Sequence, residues 1–338
     1  MAKATQLPSG SWRVQVYIDG KYKSITRPTK REAERDALEL QLKLKRELAQ
    51  VTVGQAIDDY IESKDGVLSP STISGYKKIR RNNLQGLMDM PIDKLTETIV
   101  QRAFNEEAKR VTYRGKATSP KSLANIRGLL SSALKPHGLS FDPAIPQKQK
   151  NIKELPMPED ILPAIKGTPI EIPCLLAMCL SLSMSEIRGL TFDCIKDGYL
   201  TVRNSIIDAD GIPVEKSSLK AYERARKLPL PQYLMELINA TEAATTGTRH
   251  IVTLSGQAIY KRFVNRLKKF NLPKMTFHDL RHMNASVMLA LGVPDKYAME
   301  RGGWKTNSVM KDVYQHTFTK ERIAVDKMVT GYFDDLLK

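Results

Sequence analysis

The sequence predicts a multidomain α+β protein: a small N-terminal β-sheet with one helix, a helical middle part, and a mainly helical C-terminal part that contains a small antiparallel sheet. Three observations predict this class. The chain has 338 residues, which fits two or three domains better than one core. Apolar residues recur at every second position near the N-terminus but with helical spacing from residue 51 onward. A stretch with four prolines, residues 143–158, has the composition of an extended linker.

The first 50 residues predict a hairpin followed by one helix. Apolar side chains alternate between Trp12 and Ile18, which is the period of a β-strand. Asp19-Gly20 is typical of a two-residue turn into a second strand. Thr29 then favours the start of a charged helix that runs to about Gln50.

Residues 51–142 predict a helical part. We expect helices to begin after Thr52, at Ser69-Pro70 and at Ser119-Pro120, because a hydroxyl residue precedes apolar residues at helical spacing in each case. A basic loop, residues 110–116, precedes the last of these helices. A linker follows over residues 143–157, and a new domain begins near Pro158.

The remainder of the chain mixes helices with short strands. Residues Leu175–Leu190 predict one apolar helix. Residues Gly198–Arg203 and Lys227–Leu230 predict strands that flank a basic hairpin, and further helices follow to the C-terminus.

The composition excludes several classes of protein. A hydrophobic content of 41% and a charged content of 27% are those of a soluble globular protein. The longest apolar stretch, Ile172–Leu182, is too short to span a bilayer, and no secretory signal is evident. Cysteines 174, 179 and 194 form neither a metal-binding nor a disulfide pattern. We therefore expect reduced thiols and a cytoplasmic location, with no membrane partner.

The net charge of +16 is concentrated near the N-terminus. Residues 1–150 hold 27 Lys/Arg against 16 Asp/Glu, which leaves an excess of +5 for the other 188 residues. This distribution favours a polyanion partner, most commonly nucleic acid, over a surface with a chance excess of lysine. The candidate DNA contacts are Arg13, Tyr17, Lys21 and Lys23 in the predicted hairpin, and Lys77, Lys78, Arg81, Lys116 and Lys121 in the helical part.

The sequence carries neither an acidic metal-ligand cluster nor a GxxxxGK[ST] phosphate loop, so we expect no metal and no cofactor. Any phosphoryl chemistry would have to use basic side chains. It needs a nucleophile, cations that neutralise the transition state, an acceptor for the proton of the nucleophile, and a donor for the leaving oxygen.

One set of motifs near the C-terminus fits these needs. Residues 278–282 read HDLRH, residues 301–304 read RGGW and residues 314–316 read YQH. An HxLR motif, a G-[HW] box and a tyrosine about ten residues later resemble the signature of the tyrosine recombinases, the family of phage and conjugative-transposon integrases. Each motif alone is weak, but their order and spacing in a basic chain are specific.

The resemblance implies a role for each of these residues. Tyr314 would attack the scissile phosphate of DNA and form a 3′-phosphotyrosyl bond, which frees a 5′-hydroxyl. Arg281 would hold two phosphate oxygens with its planar guanidinium group. His278 and Trp304 would hydrogen-bond the phosphate, and His278 would also assist deprotonation of Tyr314. Trp304 would only position the phosphate, since an indole N–H donates but does not shuttle protons.

The resemblance also implies a lysine on a β-hairpin as the general acid. Residues 216–231 resemble the family's KT-x(n)-R-x-[IL]-P-L pattern. Counting back from Leu228-Pro229-Leu230 selects Lys220, with Lys216 as the alternative.

One expected residue is absent. The family's T-G-x-R-x-S-E-[IL]-x-x-L box aligns with residues 180–190, and Ser183 stands where the first phosphate-binding arginine is expected. Arg188 lies roughly 140° further around a helix, so we expect it on the surface or against DNA rather than as a substitute. Loss of such a cation commonly costs on the order of 10²–10³ in rate. The sequence therefore predicts a chain that binds its sites but cleaves poorly.

The family's domain plan fits the divisions of the sequence. It implies an arm-type DNA-binding domain (residues 1–50), a helical core-binding domain (51–142), the linker (143–157), a catalytic domain (158–318) and a C-terminal tail (319–338) that packs in cis or docks in trans. The implied partners are double-stranded DNA at core and arm sites, further copies of the chain up to a tetramer, and excisionase or DNA-bending accessory proteins at a bacterial nucleoid. Two alternatives remain: a type IB topoisomerase, which an arm-type domain disfavours, and a non-catalytic DNA-binding regulator, which Ser183 favours.

Overall fold

The computed structural model describes residues 3–18, 21–112, 115–147, 155–216 and 225–304, together with residues 306, 327 and 330. The chain divides into two compact units, Met1–Gln149 and Lys150–Lys338. Within the described ranges, no helix is both long and apolar enough to cross a membrane.

The first unit begins with a three-stranded antiparallel sheet of β1 (Thr5–Gln6), β2 (Trp12–Ile18) and β3 (Lys21–Arg27), in that order. Ile18 pairs with Lys21, which is the register of the predicted two-residue hairpin, although Asp19-Gly20 itself lies outside the described residues. Helix α1 (Lys30–Gln50) covers one face of the sheet. There Val14, Val16, Ala33 and Ala37 form a small core of their own.

The rest of this unit is helical, as predicted. It contains α2 (Val53–Lys64), α3 (Pro70–Asn82), α4 (Gln85–Met88), α5 (Glu97–Lys109) and α6 (Pro120–Leu134). The three predicted helix starts are confirmed. At the first of them, Thr52 and Gln55 form a capping box. Helix α5 has no counterpart among the predicted helices. Its first turn is capped by Thr96, and it buries Val100 and Phe104 in the core of the unit.

The second unit surrounds a small sheet with helices. It contains α7 (Pro158–Ile165), α8 (Glu171–Leu180), α9 (Met184–Arg188), β4 (Ile195–Lys196), β5 (Tyr199–Val202), β6 (Ser205–Ala209), β7 (Ile212–Lys216), β8 (Arg226–Pro229), α10 (Gln232–Asn239), α11 (Glu242–Thr245), α12 (Gly256–Lys269), α13 (Phe277–Ala290) and α14 (Asp295–Gly302). Strands β4, β5 and β8 form one antiparallel sheet, which confirms both predicted strands, and β6 and β7 form a separate hairpin. The main core of the unit completely buries Leu176, Ile187, Phe263 and Leu280, and a small separate cluster forms around Met288 and Ala298.

The single apolar helix predicted over Leu175–Leu190 is wrong. The structure breaks it at Ser181, whose φ of 57° is left-handed, and starts α9 after Ser183. The backbone N–H of Ser181 closes the last turn of α8 by donating to the carbonyl of Leu176. A period of 3.6 residues does not reveal this break, because both short helices bury apolar residues in the same core.

Candidate active site

Helix α13 carries the HDLRH motif, and its first turn fixes where the motif lies. Thr276 and Asp279 form a capping box, so that His278 lies in the first turn and Arg281 one turn later. Arg281 is 8% exposed. Its Nη1 donates to the carbonyl of Ser181, and its Nη2 donates to the carbonyl of Gly302 at 2.5 Å. The guanidinium group is therefore held between the break after α8 and the end of α14.

Glu186 lies beside this guanidinium group, with Oε2 3.7 Å from Nη1 of Arg281. The same oxygen accepts hydrogen bonds from the backbone N–H of Ser183 at 2.7 Å and from the Ser183 hydroxyl at 2.8 Å. Ser183 is thus the N-cap of α9 and carries no positive charge into the site.

A second arginine reaches Glu186 from strand β8. Nη1 of Arg226 lies 2.8 Å from Oε1 of Glu186, and Nε donates to the carbonyl of Arg301 at 3.0 Å. Nη2 makes two longer contacts of 3.4 Å, to Oε2 of Glu186 and to the carbonyl of Ser181. Only 6% of the Arg226 side chain is exposed. We call Arg226 and Arg281 the arginine pair, because both contact Glu186 and the Ser181 carbonyl.

The arginine pair determines the charge of Glu186. Burial alone would raise the pKa of Glu186. The hydrogen bond and the positive charge of Arg226, the N–H of Ser183 and the charge of Arg281 outweigh burial and hold the pKa at about 2. Glu186 is therefore ionised at any physiological pH.

Trp304 and the two glycines before it close one side of the site. The Trp304 ring is partly buried, and its centroid lies 4.9 Å from the Cζ atom of Arg281. A side chain at Gly302 would overlap this ring. Gly303 has a left-handed φ of 65°, and a Cβ there would come within 2.9 Å of Nη1 of Arg226.

His278 lies at the exposed edge of the site. Its ring centroid is 4.6 Å from that of His282, in an edge-to-face arrangement. Partial desolvation by the surrounding protein, followed by the charge of Arg281, lowers the pKa of His278 below its usual value. The imidazole is therefore neutral near pH 7 and able to accept a proton.

The expectation for Arg188 is wrong. Arg188 lies neither on the surface nor in a position to meet DNA, because only 9% of its side chain is exposed. Its Nη1 and Nη2 donate to the two carboxylate oxygens of Asp208 at 2.8 and 3.0 Å. This bidentate pair attaches α9 to strand β6. Arg188 therefore stabilises the fold of its own unit.

Two of the predicted catalytic residues, Tyr314 and Lys220, lie outside the described residues. Lys216, the alternative to Lys220, is the last residue of β7 and pairs with Ser205. The structure therefore brings together Arg281, Ser183 and Trp304, with His278 at the edge. Arg226 was missed, although its position two residues before buried Leu228 on a strand indicates that both face the core.

Seven of the predicted DNA contacts are exposed residues of the first unit. Lys77, Lys78 and Arg81 are exposed on α3, whereas the neighbouring Arg80 is paired with Asp58 at 2.9 Å. Lys116 and Lys121 are exposed before and within α6. Arg13 is exposed on β2 between the buried Val14 and the partly buried Trp12, and Lys23 is exposed on β3 opposite Val16. Tyr17 and Lys21 lie in β2 and β3.

This arrangement favours the binding of an anion. Two guanidinium groups with little exposure converge on one carboxylate, and a neutral imidazole lies at the exposed edge. Guanidinium groups bind phosphate strongly where water is largely excluded. Across the ranges that the structure describes, no group of three or more His, Cys, Asp or Glu residues is arranged to hold a metal ion.

Comparisons with known proteins identify one family and several similar folds. The model of the phage integrase family matches residues 158–321. A 56-residue segment is 43% identical to an integrase of Saccharopolyspora erythraea; it covers 17% of this chain and only 13% of that protein. The fold is similar to that of the Tn1549 transposon integrase in complex with transposon right end DNA, with a TM-score of 0.61 and 18% identity over 83% of this chain and all of that one. It is also similar to a lambda integrase tetramer bound to a Holliday junction, with a TM-score of 0.57 and 17% identity over 90% of this chain and 96% of that one.

Proposed function

We propose that the chain, whose residues 158–321 match the model of the phage integrase family, is a tyrosine recombinase that cuts and rejoins double-stranded DNA at specific sites to integrate and excise a mobile element. The observation that carries the proposal is Arg281, a buried guanidinium group with neutral His278 one turn before it and Trp304 against its face. This set supplies the positive charge, the proton acceptor and the positioning group that cleavage of a phosphodiester needs.

In the proposed reaction, the hydroxyl oxygen of Tyr314 forms a bond to the scissile phosphorus while the bond from phosphorus to the 5′ oxygen breaks. His278 accepts the proton of Tyr314, and Lys220, or Lys216 in its place, donates a proton to the 5′ oxygen. The 3′ end of the DNA is then a phosphotyrosine ester. Attack by a 5′-hydroxyl of another strand reverses the step, so that rejoining needs no ATP. The roles of Tyr314 and Lys220 rest on the sequence motifs.

The proposal includes a reduced rate of cleavage because of Ser183. Serine supplies no positive charge where the family's box has an arginine, and it caps α9 instead. We expect Ser183→Arg to form covalent complex with DNA faster than the natural chain. Equal rates for the two proteins would contradict the claim that Ser183 limits cleavage.

The proposed partners are core-type and arm-type DNA sites and other copies of the chain. The exposed basic residues of α3 and the N-terminal sheet support the DNA part of the proposal. The lambda integrase structure is a tetramer on a Holliday junction, and we propose the same assembly for this chain at the synapse. An excisionase or a DNA-bending protein would control direction, in the cytoplasm at the bacterial nucleoid.

The experiment that tests the function has two steps. Footprinting on candidate element ends selects the bound sites, and a nicked duplex with such a site then traps the covalent complex, because the short strand beyond the nick diffuses away. We expect the natural chain and Tyr297→Phe to form the complex and Tyr314→Phe to form none. Tyr297 is a suitable control, since it is 62% exposed on α14.

A second function is favoured by Ser183 alone: a DNA-binding regulator that has kept the recombinase fold. Such a protein would occupy the same sites but would give no covalent complex with the natural chain, with Tyr314→Phe or with Ser183→Arg. The Ser183→Arg protein therefore separates a slow enzyme from a binder.

A further inference from the structure

The arginine pair contains a cation for which the proposed reaction has no assigned role. Arg226 comes from β8, 55 residues before Arg281, and only 6% of its side chain is exposed. It nevertheless reaches the same carboxylate and the same carbonyl as Arg281. Two buried positive charges thus lie beside each other, which costs free energy unless negative groups are close to both.

Several backbone features hold this pair in place. Ser181 adopts a left-handed conformation that a serine rarely adopts, and this conformation directs its carbonyl to both arginines. Gly303 is also left-handed, and any Cβ there would press on Nη1 of Arg226. Gly303 therefore allows the backbone to lie directly beside this nitrogen.

Arg226 is also positioned where Ser183 leaves a charge missing. Glu186 accepts hydrogen bonds from Ser183 and from Arg226, so that one carboxylate joins the two residues. The Nη2 contacts of Arg226, at 3.4 Å, are long for N–H···O hydrogen bonds. A phosphate oxygen that replaced either of these two contacts would therefore displace only a weak hydrogen bond.

Resting on the proposed function, we propose that Arg226 binds the scissile phosphate beside Arg281 and supplies part of the positive charge that Ser183 does not. In this role Arg226 donates to a non-bridging oxygen, and no bond to Arg226 forms or breaks. The competing explanation is structural: Arg226 would only pair with Glu186 and neutralise the carbonyls at the end of α8. The two explanations differ in what happens when the charge of the phosphate is removed.

The experiment uses the full chain and the nicked duplex selected by footprinting, made with either a phosphate or an uncharged methylphosphonate at the scissile position. Arg226→Lys keeps a positive charge for Glu186 but loses the planar fork. We expect it to slow covalent complex formation by about 10- to 100-fold on the phosphate and by less than about threefold on the methylphosphonate. Thermal unfolding and DNA affinity should match those of the natural chain. Arg249→Lys, which alters an exposed pair with Glu215, should change neither rate.

Ser183→Arg provides a second measurement that needs no change at Arg226. If Arg226 already supplies part of the charge, the added arginine raises the rate on the phosphate by about tenfold rather than 10²- to 10³-fold. In the Ser183→Arg background, Arg226→Lys should lower the rate by less than about threefold, because a second guanidinium group is then present.

Other outcomes overturn the inference. Equal rates for Arg226→Lys and the natural chain, or an equal loss on both linkages with no rescue by Ser183→Arg, would show a merely structural residue. A gain of 10²-fold or more from Ser183→Arg would show that Arg226 supplies no such charge, while the recombinase function stands. No covalent complex from either the natural chain or Ser183→Arg would overturn the proposed function itself.

Discussion

At the residue scale, Glu186 is the group that holds the candidate site together. It bonds the N-cap of α9, Arg226 and Arg281 through two carboxylate oxygens. Removal of one member of a buried ionic cluster leaves the others without compensation, which commonly costs about 3–5 kcal/mol. The site is therefore expected to depend on this carboxylate for stability as well as for the orientation of the arginine pair.

The pKa of Glu186 gives this dependence a pH signature. Because the folded pKa of about 2 lies below the ordinary value of 4.5, the stabilisation is complete above pH 4.5 and is lost as the pH falls from 4.5 towards 2. The shift corresponds to about 3 kcal/mol in the free energy of unfolding. We expect Glu186→Gln to unfold more easily at pH 7 but to lose less stability than the natural chain between pH 4.5 and 2.

Denaturant titrations over this pH range measure the difference, with Glu242→Gln as the matched change at an exposed carboxylate. Parallel pH profiles for Glu186→Gln and the natural chain would contradict the account of this cluster.

Sequence reasoning located some residues of the site and not others. His278 and Arg281 were predictable because the HDLRH sequence resembles the HxLR motif of the tyrosine recombinases, and the structure places both on the capped helix α13. Arg226 was missed although it is the arginine of the KT-x(n)-R-x-[IL]-P-L resemblance, because its contact with Glu186 joins residues 40 positions apart. Arg188 was placed wrongly, since a helical wheel gives its direction but not Asp208, the residue that lies opposite it.

At the element scale, the break between α8 and α9 creates the site. It turns the chain so that the carbonyl of Ser181 faces the arginine pair and Ser183 starts a new helix. Asn284 and Arg301 bond other carbonyls at the same end of α8, those of Met178 and Cys179. Side chains thus satisfy carbonyls that the broken helix leaves without backbone partners.

Ser181 carries the conformational cost of this break. Its φ of 57° is unfavourable for a residue with a Cβ, and its buried Oγ finds no hydrogen-bond partner among the residues that the structure describes. We expect Ser181→Gly to stabilise the chain by about 0.5–1 kcal/mol and Ser181→Val to destabilise it by about 1–3 kcal/mol. Urea unfolding midpoints test both changes. A loss of stability in Ser181→Gly would contradict the strain assigned to this residue.

The sequence predicted most elements but not this break or helix α5. Hairpin turns and helix caps are local signals, and they placed β2, β3, α1, α2, α3 and α6 correctly. The run from residue 175 to 190 keeps apolar residues at helical spacing on both sides of the break, and Ser181 is not a residue type that marks a left-handed position. Helix α5 is amphipathic but begins at Thr96 in a stretch without a proline or glycine signal.

At the scale of the whole molecule, the excess of positive charge and the candidate active site belong to different parts of the chain. The excess of basic residues is largest in residues 1–150, whereas the arginine pair lies in the second unit. A DNA-processing enzyme uses both: dispersed surface charge for affinity, and a few buried charges for the reacting phosphate. The family match over residues 158–321 agrees with this division, since it covers the unit that contains the site.

The central claim is that Tyr314 becomes joined to DNA, and one measurement tests it directly. The covalent complex trapped on the nicked duplex is digested with a protease, and the peptide that retains the nucleotide is identified by mass. The account predicts a single modified peptide that contains Tyr314, with the nucleotide attached through its 3′-phosphate. A complex attached at another residue or through a 5′-phosphate would contradict it, as would no covalent complex from either the natural chain or Ser183→Arg.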